Sequence, residues 1–193
     1  MKPTTDTRPV SHPIASRHRL AALFAVVLVV SLAYGFIRIL PVFAPSDTSN
    51  LDTAPDFTTV LYSGGTGEFT LSEQRGHPVV LNVWGSWCPP CRAEFPALQQ
   101  AWDQYKDEGL VLFGVNAGAF IKDSEEEAKQ FLGQQGTTFM TGPDIDDQII
   151  LDYRVLGFPA TYFITANGKI YETWIGQINE KNLTRLIEEL LAL

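Results

Sequence analysis

The run Val79-Val80-Leu81-Asn82-Val83-Trp84 is almost wholly apolar, and the only two cysteines of the chain, Cys88 and Cys91, follow it directly, with a helical pattern starting behind them. A short continuous apolar run reads as a strand buried on both faces, the kind found inside a parallel sheet covered by helices. The turn Gly85-Ser86-Trp87 then delivers Cys88 to the start of the helix that continues through Arg92-Ala93-Glu94-Phe95-Pro96-Ala97-Leu98. Unpaired backbone N–H groups and the positive end of the helix dipole stabilise a thiolate at that position. Pro89 and Pro90 suit the first turn, where a missing N–H costs little. Cys88 is therefore the expected attacking thiol, and Cys91, one turn inward, the resolving one.

Other uses of the two thiols are weaker. A purely structural disulfide across so short a loop removes little entropy from the unfolded chain. Structural zinc needs four ligands, and beyond the N-terminal apolar segment the chain adds only His77 as a further soft donor. A copper(I) site built from the two thiolates alone stays open, because soft thiolates suit that ion.

The 193 residues leave room for one domain and an appendage. Leu20 to Ile37 carries no charge, and tolerating Arg38 as a snorkelling end residue extends the apolar stretch to Ala44, long enough to span a bilayer as a helix. Arg8, Arg17 and Arg19 precede it, so the positive-inside rule keeps the N-terminus in the cytoplasm and sends the rest across the membrane. A cleaved signal peptide is the rival reading, with Ser31-Leu32-Ala33 as a candidate site; Val42-Phe43-Ala44 is followed by Pro45, a poor residue just after a cut. The expected layout is a cytoplasmic tail over 1–19, a single-pass signal anchor over 20–44, a polar linker over 45–54, and a domain over 55–193 on the outer or periplasmic side. Residues 1–40 hold five of the 14 Lys and Arg and one of the 22 acids, so the remainder has a net charge of −12. Such a surface disfavours nucleic acid and anionic lipid. Asp123 and Glu125-Glu126-Glu127 read as a solvated helix start.

Within the domain, Phe57–Tyr62 and Glu68–Leu71 flank a Gly-rich turn and predict a hairpin. The spacing then predicts a helix from Cys88 to Lys106 kinked at Pro96, a strand over Leu110–Asn116, and a helix opened by the capping-box spacing Ser124 to Glu127 and running to Gln134. A short strand over Thr137–Thr141 and a short helix over Asp146–Tyr153 follow. Ala160–Thr165 and Lys169–Ile175 form a hairpin across Asn167-Gly168, and Asn182–Leu193 closes the chain as an amphipathic helix.

The block Leu81-Asn82-Val83-Trp84-Gly85-Ser86-Trp87-Cys88-Pro89-Pro90-Cys91-Arg92-Ala93-Glu94-Phe95-Pro96, the strand end Gly114-Val115-Asn116 and the segment Gly157-Phe158-Pro159-Ala160-Thr161 resemble the thioredoxin fold. More narrowly, they resemble the TlpA/ResA-like membrane-anchored thiol-disulfide oxidoreductases of the cytochrome c biogenesis type. The resemblance covers about Pro55 to Leu193. It implies an α/β thioredoxin fold, a central mixed sheet flanked by helices, with an extra N-terminal β-hairpin and one preceding transmembrane helix. It also implies a cis bond before Pro159 beside the dithiol, with Phe158 next to it, and a role for Glu94 in tuning thiol ionisation and proton transfer. Asn82 stands where thioredoxin itself has a buried acid, and ResA-like members share the Asn. Trp87 and Trp84 pack around the site in the family, although either could be core alone. Pro89-Pro90 departs from the more polar pairs of the family, and the intervening dipeptide influences redox poise.

The function implied is reduction of an exported protein's disulfide, such as the Cys-x-x-Cys-His site of apocytochrome c before haem attachment, with no cofactor beyond the Cys88/Cys91 pair and no resident metal. A membrane thiol electron carrier would restore the dithiol. A disulfide-forming oxidase or a general thiol-redox protein of the same fold is the alternative. A peroxidase is disfavoured because Ser86-Trp87-Cys88 lacks the Thr-x-x-Cys arrangement. A copper(I) delivery module is the alternative of another class.

Overall fold

The apolar run Val79–Trp84 is the middle strand of a five-stranded sheet in the computed structural model, which describes residues 52–193. The expected tail, the anchor over 20–44 and linker residues 45–51 lie outside the described residues. Among the described residues no helix is long and apolar enough to cross a membrane.

The elements run β1 (Thr58–Val60), β2 (Glu68–Thr70), β3 (Val79–Trp84), α1 (Pro89–Tyr105), β4 (Val111–Asn116), α2 (Gly118–Ile121), α3 (Glu125–Gln135), β5 (Met140–Pro143), α4 (Gln148–Asp152), β6 (Ala160–Ile164), β7 (Ile170–Ile175) and α5 (Glu180–Leu191). The sheet order is β5-β4-β3-β6-β7. The first three strands are parallel, while β6 runs antiparallel to β3 and β7 antiparallel to β6. This is the thioredoxin-like α/β arrangement with a central mixed sheet, and β1 and β2 form the separate N-terminal hairpin.

Alternation along β3 explains why its whole sequence is apolar. Val80 and Trp84 enter one core with Phe95 and Leu98 of α1, Phe131 of α3 and Leu183 and Ile187 of α5. Val79, Leu81 and Val83 enter the other with Phe69, Phe113 and Ile149. Both faces are covered, so neither set of alternating positions can be polar without a partner. Asn82 is the exception, and it is fully buried.

Several boundaries move for identifiable reasons. Tyr62, expected to end the first hairpin strand, and Ser63, expected in the turn after it, pair instead with Thr141, covering the outer edge of β5. Thr138 is held by Gln99 through two hydrogen bonds of 2.8 Å, so β5 begins at Met140 rather than at Thr137. The ordered chain takes hold before Pro55: Thr53 bridges to Lys169, the Ala54 N–H bonds to the Gly168 carbonyl at 3.0 Å, and Ala54 is buried. Asp52–Ala54, expected as linker, thus belong to the folded part. Asn179 caps α5 by accepting from the Asn182 N–H at 2.9 Å, which starts that helix earlier than the apolar pattern indicates.

Gly142 of β5 is packed so closely that a Cβ there would run into the main-chain carbonyl of Val60. Backbone cannot rotate away as a side-chain tip can. Gly142→Ala is expected to destabilise the oxidised protein by about 2–3 kcal/mol, read as a lower urea midpoint; an unchanged midpoint would show that the hairpin gives way freely.

Candidate active site

The end of β3 and the start of α1 build the site. The Cys88 N–H bonds to the Gly85 carbonyl at 3.2 Å, closing the turn, and Cys88 then caps α1 with extended dihedrals of φ −76° and ψ 109°. Its Sγ accepts from the Cys91 N–H at 3.3 Å. Pro89 and Pro90 fill the first two helical positions, where no N–H is required. Cys88 and Cys91 form a disulfide with a Cα–Cα distance of 5.3 Å. The two sulfurs are not equivalent, because Cys88 retains 5% of its surface and Cys91 none.

Pro159 immediately precedes β6, whose first residue, Ala160, lies beside Val83 near the C-terminal end of β3. That register brings Pro159 to the end of the sheet where the disulfide sits. The Phe158–Pro159 peptide is cis, and the Pro159 carbonyl accepts from the Gly176 N–H at 2.8 Å. Phe158 packs on both cores, and its ring meets that of the exposed Phe120 edge-on at 6.2 Å. The two tryptophans separate in role. Trp84 is core, against Phe95 and Phe131 at 5.0 and 5.3 Å, whereas Trp87 is 56% exposed and donates its Nε1–H to the Ile121 carbonyl at 3.1 Å.

Glu94 lies one helical turn beyond Cys91 and is buried. Its carboxylate accepts from the Asn82 Nδ2 at 2.8 Å and from the Ile178 N–H at 2.9 Å. Burial dominates and pushes its pKa up from 4.5 to about 7; the hydrogen bonds from Ile178 and Asn82 pull the other way but do not offset it. A carboxyl that titrates near neutrality can take or return a proton during exchange. Asn82 also donates to Thr161 Oγ1 at 3.0 Å, leaving its own Oδ1 buried and without a partner.

Asp123 corrects an expectation. It is not a solvated helix residue but is only 6% exposed, and its carboxylate accepts from the Ser86 N–H at 2.6 Å, from the Ser86 hydroxyl, and from Asn116 Nδ2 at 2.7 Å. Glu125 and Glu126 are exposed as expected, and Glu127 completes the capping box with Ser124. The four-residue α2, which brings Asp123 under the Ser86 turn, has no periodicity a sequence reading could detect. His77 stands apart, its Nδ1 3.1 Å from the Gly109 carbonyl oxygen. Among the described residues no group of three or more His, Cys, Asp or Glu is placed to hold a metal ion.

A mixed sheet of this order, with a disulfide capping the helix behind its middle strand and a cis-proline opening the neighbouring strand, defines a thioredoxin-like thiol-disulfide oxidoreductase. The sequence matches the AhpC/TSA family over residues 51–173, and the chain belongs to that family, among its ResA-like thiol-disulfide oxidoreductases. It is 31% identical to the thiol-disulfide oxidoreductase ResA of Geobacillus kaustophilus over 175 residues, 90% of this chain and 97% of the relative. Against ResA of Bacillus subtilis it is 31% identical over 165 residues, 85% of this chain and 89% of the relative. A Chlorobium tepidum structure described as thiol:disulfide interchange protein DsbE superposes with a TM-score of 0.66 at 34% identity, covering 73% of this chain and 96% of that one. Oxidoreductases of this type work through a redox-active cysteine pair, need no cofactor, and act on disulfide-bearing substrates.

Proposed function

We propose that the protein is an extracytoplasmic disulfide reductase that keeps the Cys-x-x-Cys-His site of an apocytochrome c, or a similar exported metalloprotein, reduced until its cofactor is inserted. Residues 20–44 would anchor it as a single-pass protein with its N-terminus in the cytoplasm. A membrane thiol electron carrier would re-reduce it.

In this reading the Cys88 thiolate attacks one sulfur of the client disulfide. The client S–S bond breaks, its leaving thiolate takes up a proton, and a mixed disulfide forms on Cys88. Cys91 then loses its proton and attacks the Cys88 sulfur, releasing the second client thiolate. Two electrons have passed to the client, and the Cys88–Cys91 disulfide described above is the product. Glu94 is the group one turn away whose pKa of about 7 lets it accept the Cys91 proton in that second step and return it on re-reduction. This buried carboxyl, on the helical turn after the inner cysteine, is the observation that carries the reading, together with the similarity to ResA over 90% of the chain.

Two measurements test it. The Cys88/Cys91 pair is expected to have a reduction potential near that of thioredoxin, about −270 mV; a value near that of a strong oxidant, about −120 mV, would reverse the electron flow. The Cys91→Ser protein, unable to resolve, is expected to hold apocytochrome c as a mixed disulfide on Cys88. Capture of clients lacking a Cys-x-x-Cys-His site would sink the client assignment while leaving the chemistry intact.

A further inference from the structure

The turn that delivers Cys88 is gripped by residues outside the strand and helix it joins. Ser86 donates its N–H and its hydroxyl to Asp123, and its carbonyl accepts from Arg92 Nη1 at 2.8 Å. Arg92 in turn gives its own N–H to the Cys88 carbonyl at 3.0 Å. The residues on either side of Ser86 are held by Ile121: its carbonyl takes the Trp87 Nε1–H, and its side chain packs so tightly on Gly85 that a Cβ there would collide with it. Asp123 is fixed in turn by Asn116 Nδ2 and by its own N–H to the Gly118 carbonyl at 2.9 Å.

Asp123 is costly where it stands. It is nearly buried, and among the described residues no lysine or arginine forms an ion pair with it. A buried carboxylate without a paired cation is retained only where its hydrogen bonds offset the lost hydration. Here one carboxylate satisfies three donors, two of them on the residue two positions before Cys88.

We propose that Asp123 is a positioning residue for exchange at Cys88: by clamping Ser86 it fixes the Gly85–Cys88 turn, and so holds the Cys88 sulfur over the N–H groups at the start of α1. The clamp matters most in the dithiol state. In the disulfide state the S–S bond itself ties Cys88 to α1; once that bond is reduced, the turn and the N–H groups of Cys91 and Arg92 are left to hold Cys88 in place. Misplacing a reacting atom by a fraction of its own size is enough to slow attack severely. The inference rests on the reading of Cys88 as the attacking thiolate.

The test uses the reduced full chain and oxidised glutathione as the probe, with the second-order rate and the thiolate titration of Cys88 as readouts. Asp123→Ala is expected to slow attack about tenfold or more and to move the Cys88 titration to higher pH. Asp123→Asn keeps the geometry: its Oδ1 accepts from Ser86 N–H and Asn116 Nδ2, and its amide donates to the Ser86 hydroxyl, which rotates to accept. That variant is expected to stay within about threefold of wild type, the scale of one weakened hydrogen bond. A folded Asp123→Ala protein with the wild-type rate and titration overturns the proposal, leaving Asp123 a mere staple. So does an Asp123→Asn protein as slow as the Ala variant, since the charge rather than the placement would then be at work. If Asp123→Ala does not fold, Ser86→Ala removes only the hydroxyl contact and is expected to slow attack about threefold; the wild-type rate there overturns the proposal as well. Cys88→Ala is the control: if it still reacts with the probe, the reading of Cys88 fails independently of Asp123.

Discussion

Replacing Cys88 by alanine is expected to lower the steady-state rate of disulfide exchange at least about 10³-fold, to background, whereas Cys91→Ala preserves the first half of the reaction. The asymmetry follows from the geometry. Of the two, only Cys88 keeps any exposed surface, and it caps α1, where the helix terminus favours its thiolate. Cys91 is fully buried beneath it and faces no client. The Cys91→Ala protein should therefore form a mixed disulfide at close to the wild-type rate and stop there. Stopped-flow mixing of each reduced variant with a disulfide peptide separates the two steps. Equal rates of first attack in the two variants would mean that the helix terminus does not select the nucleophile.

The second large effect is on stability as a function of pH, and Glu94 supplies it. Its pKa of about 7 in the folded protein exceeds the ordinary 4.5, so between those values the folded state holds a proton that the unfolded chain has released. Stability from this group is complete below about pH 4.5, falls as pH rises toward 7, and stays low above it. The span corresponds to about 3 kcal/mol. Glu94→Gln removes the titration, so between pH 4 and pH 8 wild type should lose about 3 kcal/mol relative to the variant. Urea unfolding of both oxidised proteins at the two pH values isolates the term, because other carboxylates titrate in both. Parallel pH profiles would show that folding leaves the Glu94 titration where the unfolded chain has it. Asn82 makes the neutral state workable: a half-turn of its amide places the partnerless Oδ1 where Nδ2 now sits, 2.8 Å from Glu94 Oε1, as an acceptor for the added proton.

How far the chain could be read in advance depended on whether a residue's partners were local. Val79–Trp84 and the cysteines behind it were legible because a doubly buried strand admits little but apolar residues and a helix start admits Pro89 and Pro90. Glu94 was legible only through the resemblance, as an acid near the dithiol; that its partners are Asn82 and the Ile178 N–H, the latter 84 positions away, depended on how distant segments pack around α1. Asp123 was misread for the same reason. An acid just before a capping serine looks solvated, and nothing in its neighbourhood announces that α2 will turn it inward beneath Ser86. The start of β5 was displaced by a side chain on another element, Gln99, reaching Thr138 across 39 positions.

The route by which β3 acquires its two neighbours has a consequence for synthesis. Its parallel partner β4 follows after a single helix, but its antiparallel partner β6 comes much later, as the Asn82 to Thr161 bond across 79 positions shows. Closing the longer loop costs more chain entropy and slows pairing, so the N-terminal half can begin to organise before the C-terminal third arrives. During that interval Cys88 and Cys91 are present but Pro159 is not beside them, and Glu94 still lacks the Ile178 N–H. A growing chain therefore carries both thiols before their surroundings are complete, and the residues around Pro159 and Ile178 are the last to reach them.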